Sequence, residues 1–236
     1  HRVDRRQRQM CIRDRNLLDA LGELHAAAKG PATPDRHRPE SAALTFSRLY
    51  EDDAGRLGKR HSRCTEVLGT LAAGHTMHVV SMGEWSADNM IAWAVDQIGP
   101  SDLLFGTWSL SVKPATRLCA AADAGLLTRF RGVFDLRAVI RRPEAMRMIR
   151  RRFGYNNVRI FNCHAKVYLL ENESRRISIV SSANFTNNPR IEASVITDDP
   201  AVYDFHRNWL ELTFANSDPF DPEDQPERPD APDAED

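Results

Sequence analysis

Apolar and polar positions change period several times along the chain, and each change predicts an element. Thr76-Met-His-Val-Val-Ser-Met82 is a mostly apolar run of strand length and predicts a buried strand. Ser86 follows as a helix cap, and Met90, Ile91, Ala94, Val95 and Ile98 recur at helical spacing until Gly99-Pro100 stops them. Leu103 to Trp108 predicts a second strand, Pro114 opens an alanine-rich helix that runs to Gly125, and Arg129 to Leu136 is again strand-like. Pro143 to Phe153 predicts a helix and Val158 to Phe161 a short strand. Asp198 or Asp199 then caps a last helix carrying Val202, Phe205, Trp209 and Leu212. Strands alternating with helices in this way predict an α/β fold, a mixed β-sheet with helices packed on both faces.

The pattern carries chemistry between residues 161 and 186. In Phe161-Asn-Cys-His164-Ala-Lys166-Val-Tyr-Leu-Leu-Glu171, period two sets Ala165, Val167 and Leu169 on one face. His164, Lys166 and Tyr168 fall on the other. Glu171-Asn-Glu-Ser-Arg-Arg176 supplies a turn, and Ile177 to Val180 returns as a second strand ending in Ser181-Ser182-Ala-Asn184. The hairpin brings a nucleophilic imidazole, an ammonium and small neutral donors together, a set suited to an anionic phosphoryl group.

This run resembles the signature of the phospholipase D superfamily: His-x-Lys, four residues, Asp, then about six residues and Gly-Ser-x-Asn. His164 falls on the family's nucleophile and Lys166 on its phosphate-binding lysine. Ser182 and Asn184 fall on the Ser and Asn of the second half. Glu192, in Asn-Pro-Arg-Ile-Glu192, stands where many members carry an acidic residue that orients the histidine. Glu171 replaces the Asp, Ser181 replaces the Gly, and the hairpin loop is three residues longer than the common spacing. The resemblance implies a phospholipase D-like fold over residues 75–215 and a metal-independent phosphodiesterase. His164 would form a covalent phosphohistidine, Lys166, Ser182 and Asn184 would hold the non-bridging oxygens, and Glu192 would accept the second ring N–H. A second imidazole is needed at the leaving oxygen. With one motif in the chain, the resemblance implies a homodimer whose two His164 side chains face each other across a two-fold axis.

Charge changes the choice of substrate. Residues 216–236 hold nine acidic side chains against Arg228, so the net charge of −1 conceals a body of +7 over residues 1–215. That tail, rich in proline and acid, has little to bury and reads as disordered. Arg141, Arg142, Arg147, Arg150, Arg151 and Arg152 crowd one short segment of the body. They offer nucleic acid a surface that follows its phosphates, the alternative being a solvated helix face. A nuclease is therefore the leading expectation. The alternatives are a phospholipase or phosphatidyl transferase, which would want an apolar docking surface, and a non-catalytic nucleic-acid-binding module.

The remaining segments add limits. Residues 1–15 read as a non-native leader, and 16–74 as an N-terminal region with an amphipathic helix at Asn16 to Lys29 and a proline-rich linker at Gly30 to Glu40. No apolar run approaches the roughly twenty residues of a membrane span. Cys11, Cys64, Cys119 and Cys163 are scattered, which suits free thiols in a reducing, cytoplasmic setting. His61-x-x-Cys64 and His75-x-x-His78 have zinc-like spacing, but His78 sits in an apolar strand and no Cys pair accompanies it, so no metal or other cofactor is expected. Cys163 adjoins His164, yet strand alternation points it to the opposite face, toward burial.

Overall fold

The computed structural model describes residues 42–44, 59–186 and 190–221. The leader, the helix at Asn16 to Lys29, the Gly30 to Glu40 linker and the tail beyond Asp221 lie outside the described residues.

Nine strands form one mixed sheet in the order β1-β2-β8-β7-β6-β3-β4-β5-β9. They are β1 (Ala42–Leu44), β2 (Thr76–Ser81), β3 (Ser101–Thr107), β4 (Leu127–Asp135), β5 (Val158–Phe161), β6 (Val167–Glu171), β7 (Arg176–Ser181), β8 (Glu192–Thr197) and β9 (Asp218–Pro219). The helices are α1 (Lys59–Leu68), α2 (Ala87–Ile98), α3 (Val112–Asp123), α4 (Leu136–Arg141), α5 (Pro143–Phe153) and α6 (Pro200–Ala215). Strands β3, β4 and β5 run parallel, joined by helical crossovers; β6 returns antiparallel beside β3 and continues through the β6–β7–β8 meander.

The layering follows from the two-residue period of the central strands. Phe105, Tyr168, Ile179, Ile196 and Met77 lie side by side across the sheet and join the large core that α1 to α5 cover. Leu104, Val167 and Leu169 point the other way, onto Tyr203 and Leu210 of α6. Helices thus pack on both faces, as the pattern predicts. Phe105 anchors the larger core, with edge-to-face contacts to Phe130, Phe134 and Phe185 at ring-centre distances of 5.1, 5.2 and 5.2 Å. Such pairs are each worth about 0.5–1.5 kcal/mol beyond their buried area. Because Phe185 directly follows Asn184, the same contact fixes the end of the motif.

Several expectations need correction. The histidine–lysine segment lies just ahead of β6, which begins at Val167. Sequence periodicity put Phe205 and Leu212 on the buried face of the last helix, yet both are 67% exposed, and Tyr203 and Leu210 are buried instead. The Thr76 strand is buried on one face only. The sheet also takes in strands from outside residues 75–215. At its start β1 pairs with β2, and α1 contributes Cys64, Val67 and Leu68 to the core. At its end β9 pairs with β5 and Phe220 is 3% exposed, so the tail's first residues are built into the sheet.

Candidate active site

One end of the sheet collects the motif. Parallel β3 and β4 finish there, at Thr107 and Asp135, and antiparallel β6 begins there, so the segments around Trp108, Asp135 and His164 converge. In open α/β sheets this carboxyl end of the parallel strands is where the crossover loops leave room for a ligand. The end of β7 brings in Ser182 and Asn184, and the start of β8 brings in Glu192.

Lys166 and His164 are in direct contact. The Lys166 Nζ lies 3.2 and 3.3 Å from the two imidazole nitrogens and donates to the His164 carbonyl at 2.8 Å. Lys166 is 9% exposed whereas His164 faces solvent, so a largely buried cation backs an accessible imidazole. Burial lowers the Lys166 pKa from the usual lysine range, opposed by the Glu192 carboxylate and, more weakly, by Cys163 and Asp135.

Asn184 reaches the pair through Trp108. Its side-chain oxygen accepts from the Trp108 backbone N–H at 3.3 Å and from the Thr107 hydroxyl at 3.4 Å, leaving the amide NH2 as a donor. The Trp108 ring meets the His164 ring edge-on at 5.6 Å, and the Lys166 Nζ stands 5.9 Å from its centre. Beneath them the Tyr168 hydroxyl donates to the Ala183 carbonyl at 2.7 Å and pins the Ser182–Asn184 turn from inside the core.

Ser182 and Glu192 form a pair of their own. The Ser182 hydroxyl donates to the Glu192 carboxylate and accepts from the Ala193 N–H at 3.0 Å, joining the ends of β7 and β8. Here Glu192 bonds the serine, and its influence on Lys166 is electrostatic.

Glu171 and Ser181, the two departures from the signature, point away from His164 and Lys166. The Ser181 hydroxyl is 2.7 Å from that of Ser194 and accepts from the Ala183 N–H at 2.9 Å, so it is spent inside the turn. Glu171 lies at the far end of β6, where Arg176 and Arg207 pair with it at 3.2 and 3.3 Å.

Cys163 is 6% exposed, burial raises its thiol pKa, and its Sγ faces the α6 side near Gly106; it is no ready nucleophile. Cys64, Cys119 and Cys163 are free thiols. The zinc-like spacing disperses in the fold: Cys64 is fully buried in the core, while the exposed His75 bonds the Ala73 carbonyl at 3.0 Å. Among the described residues, no group of three or more His, Cys, Asp or Glu could hold a metal ion. Nor is any helix among them long and apolar enough to cross a membrane.

The sequence left out three neighbours of the motif, namely Trp108, Asp135 and Arg137. Asp135 is 3% exposed and its carboxylate takes the Arg137 N–H at 2.9 Å and the Cys163 N–H at 3.0 Å, fixing both α4 and the approach to His164. Its position as the last residue of β4, just before a helix, is the sequence signal that could have found it.

Three solved structures are similar to this chain at the level of fold. Nuc from Salmonella typhimurium, a phospholipase D family member, is 21% identical with a TM-score of 0.46, over 62% of this chain and 99% of that one. NucT from Helicobacter pylori is 12% identical with a TM-score of 0.41, over 50% and 82%. Polyphosphate kinase from Porphyromonas gingivalis is 18% identical with a TM-score of 0.42, over 65% of this chain and 27% of that one. No protein-family model and no curated protein matches the chain.

Proposed function

We propose that the chain is a metal-independent phosphodiesterase of the phospholipase D type that acts on nucleic acid through a phosphohistidine. The observation that carries this is the contact of the Lys166 ammonium with the His164 imidazole, 3.2 Å apart, at the carboxyl end of the parallel strands. An imidazole nitrogen of His164 attacks phosphorus, and the bond from phosphorus to the leaving oxygen breaks. Lys166 and the Asn184 amide hold the non-bridging oxygens as negative charge builds. Water then attacks the phosphohistidine, the P–N bond breaks, and His164 is released. Ser182 and Glu192 border the site as a bonded pair, placed to respond when a phosphate arrives.

The leaving oxygen needs a proton and the attacking water must lose one, so a second imidazole has to serve both steps. His78 is poorly placed for this. It lies directly across the sheet from Val167 through Val195 and Val180, three strand spacings or about 14 Å away, on the α6 face. A homodimer with His164 contributed from each copy meets the requirement.

A phospholipid substrate is the second reading. It is favoured by Leu136, Ile140 and Phe161, which are 55%, 54% and 47% exposed on α4 and at the end of β5, beside the site. Incubating the protein with plasmid DNA, RNA and labelled phospholipid vesicles, each with and without EDTA, tests the proposal. Chelator-resistant cleavage of nucleic acid that disappears in His164→Asn is expected. Activity near wild type in that variant, or a requirement for added magnesium, overturns it.

A further inference from the structure

Of the six arginines predicted to offer a phosphate surface, Arg142, Arg147 and Arg151 are exposed, while two are engaged within the fold. Arg150 is spent on the Phe220 carbonyl at 3.0 Å and stacks over Tyr155, and Arg152 is paired with Asp123 at 2.5 Å. Arg141 behaves differently, and so does Arg137, which no sequence pattern singles out. They stand one helical turn apart on α4 and bracket Trp108, with guanidinium carbons 5.8 and 6.0 Å from its ring centre. Both are exposed, and among the described residues neither pairs with a carboxylate. The Trp108 indole N–H is buried with no acceptor among the described residues, so cations rather than a hydrogen bond surround its ring.

Charge does not balance at this spot. Lys166, Arg137 and Arg141 converge on one indole. The two nearby carboxylates keep their charge and act on Lys166, but they bond neutral groups rather than a guanidinium, Asp135 the N–H groups of Arg137 and Cys163, and Glu192 the Ser182 hydroxyl, so cations outnumber them by one. A single phosphodiester in front of His164 brings one negative charge, which Lys166 answers. Two exposed cations then remain a short step farther out. The indole centre is 5.6 Å from the imidazole, so each guanidinium lies within two such steps of the His164 ring. Along the axis of B-form DNA the phosphates of one strand recur about every 3.4 Å and stand farther apart than that in space, so those steps span no more than about three nucleotides.

Resting on the nuclease reading, we infer that Arg137 and Arg141, with Trp108 as their support, form a subsite for the phosphates flanking the scissile one. The substrate is therefore a polynucleotide several nucleotides long, rather than a dinucleotide or an isolated diester. Arginine suits the role, because its fork can grip two phosphate oxygens while its face rests on an indole.

The test uses the full chain and single-stranded oligonucleotides of two, four, eight and sixteen nucleotides. For the wild type, kcat/KM is expected to rise at least tenfold from two to eight nucleotides and then level off. In Arg137→Ala/Arg141→Ala the rise disappears, and the slope of log kcat/KM against log salt for the 16-mer flattens by roughly 1.4, the share of two phosphate contacts on a single strand. Arg137→Lys/Arg141→Lys keeps the charge and restores most of the salt slope. A wild type without length dependence, or an alanine double variant that keeps it, overturns the subsite while leaving the nuclease reading intact. Cleavage of anionic phospholipid vesicles with no cleavage of any oligonucleotide overturns both.

Discussion

Replacing Lys166 by methionine separates a catalytic cation from a structural one. Methionine keeps most of the stem that packs at this 9% exposed position and removes the charge. The loss for catalysis is that of a preorganised positive donor touching the nucleophile, on the order of 10²–10³ in rate, or about 2.7–4 kcal/mol of transition-state stabilisation. Stability responds to two opposing effects. The bond to the His164 carbonyl is lost, worth about 1 kcal/mol net, while the burial that lowers the Lys166 pKa no longer penalises a charge. The melting temperature should therefore move by no more than roughly 4 °C, the shift that 1 kcal/mol produces in a domain of this size. Initial rates on an oligonucleotide in EDTA, beside thermal melts of the same preparations, measure both. A rate loss below tenfold, or one that follows the unfolded fraction, would refute the catalytic role.

The other predictions concern pH, packing and assembly. Because burial lowers the Lys166 pKa below its ordinary 10.5, activity should fall on the alkaline side before an exposed lysine would titrate, and Lys166→Arg should push that limb upward. Between the lowered folded pKa and the unfolded value, the unfolded chain binds more protons at this site, so its contribution to stability rises with pH; denaturant titrations at stepped alkaline pH, wild type against Lys166→Met, read the sign. Gly132→Ala would drive a Cβ into the Phe105 ring and to 2.8 Å from Phe134 Cε2, so about 1–3 kcal/mol should be lost in urea unfolding while activity per folded molecule holds. Sedimentation of the active protein should show a dimer, with specific activity falling as it dissociates on dilution; a monomer of undiminished activity would leave the shared site untenable.

What the sequence revealed, and what it hid, follows from how local each feature is. The hairpin was legible because His164, Lys166 and the Ser182–Asn184 turn lie within one short stretch whose two strands pair with each other. Helix α5 was legible down to its ends, since Pro143 and Gly154 punctuate it. Strand β8 was missed because Glu192-Ala-Ser-Val-Ile-Thr197 departs from strict alternation at Val195-Ile196 and no tight hairpin turn ties it to a neighbour, so its place between β7 and β2 shows only in the fold. The bond from Ser182 to Glu192 depends on that register and was hidden with it. Helix α4 has six residues, too few for periodicity to speak, so Arg137 drew no notice. On α6 the buried face is set by the small cluster around Leu104, Val167 and Leu169, which takes Tyr203 and Leu210 and leaves the larger Phe205 in water.

Strand β9 bears on where this chain can be shortened. Composition invites a cut at residue 215, before the acidic tail. Yet β9 pairs with β5, the Phe220 N–H donates to the Val158 carbonyl at 3.0 Å, and Arg150 holds the Phe220 carbonyl. Cutting there would bare the outer edge of β5, Val158-Arg-Ile-Phe161, a short β-prone run whose unpaired N–H and C=O groups can recruit a strand from another molecule. The two-residue strand is thus an edge guard, and a truncation that keeps the chain through Asp221 retains it.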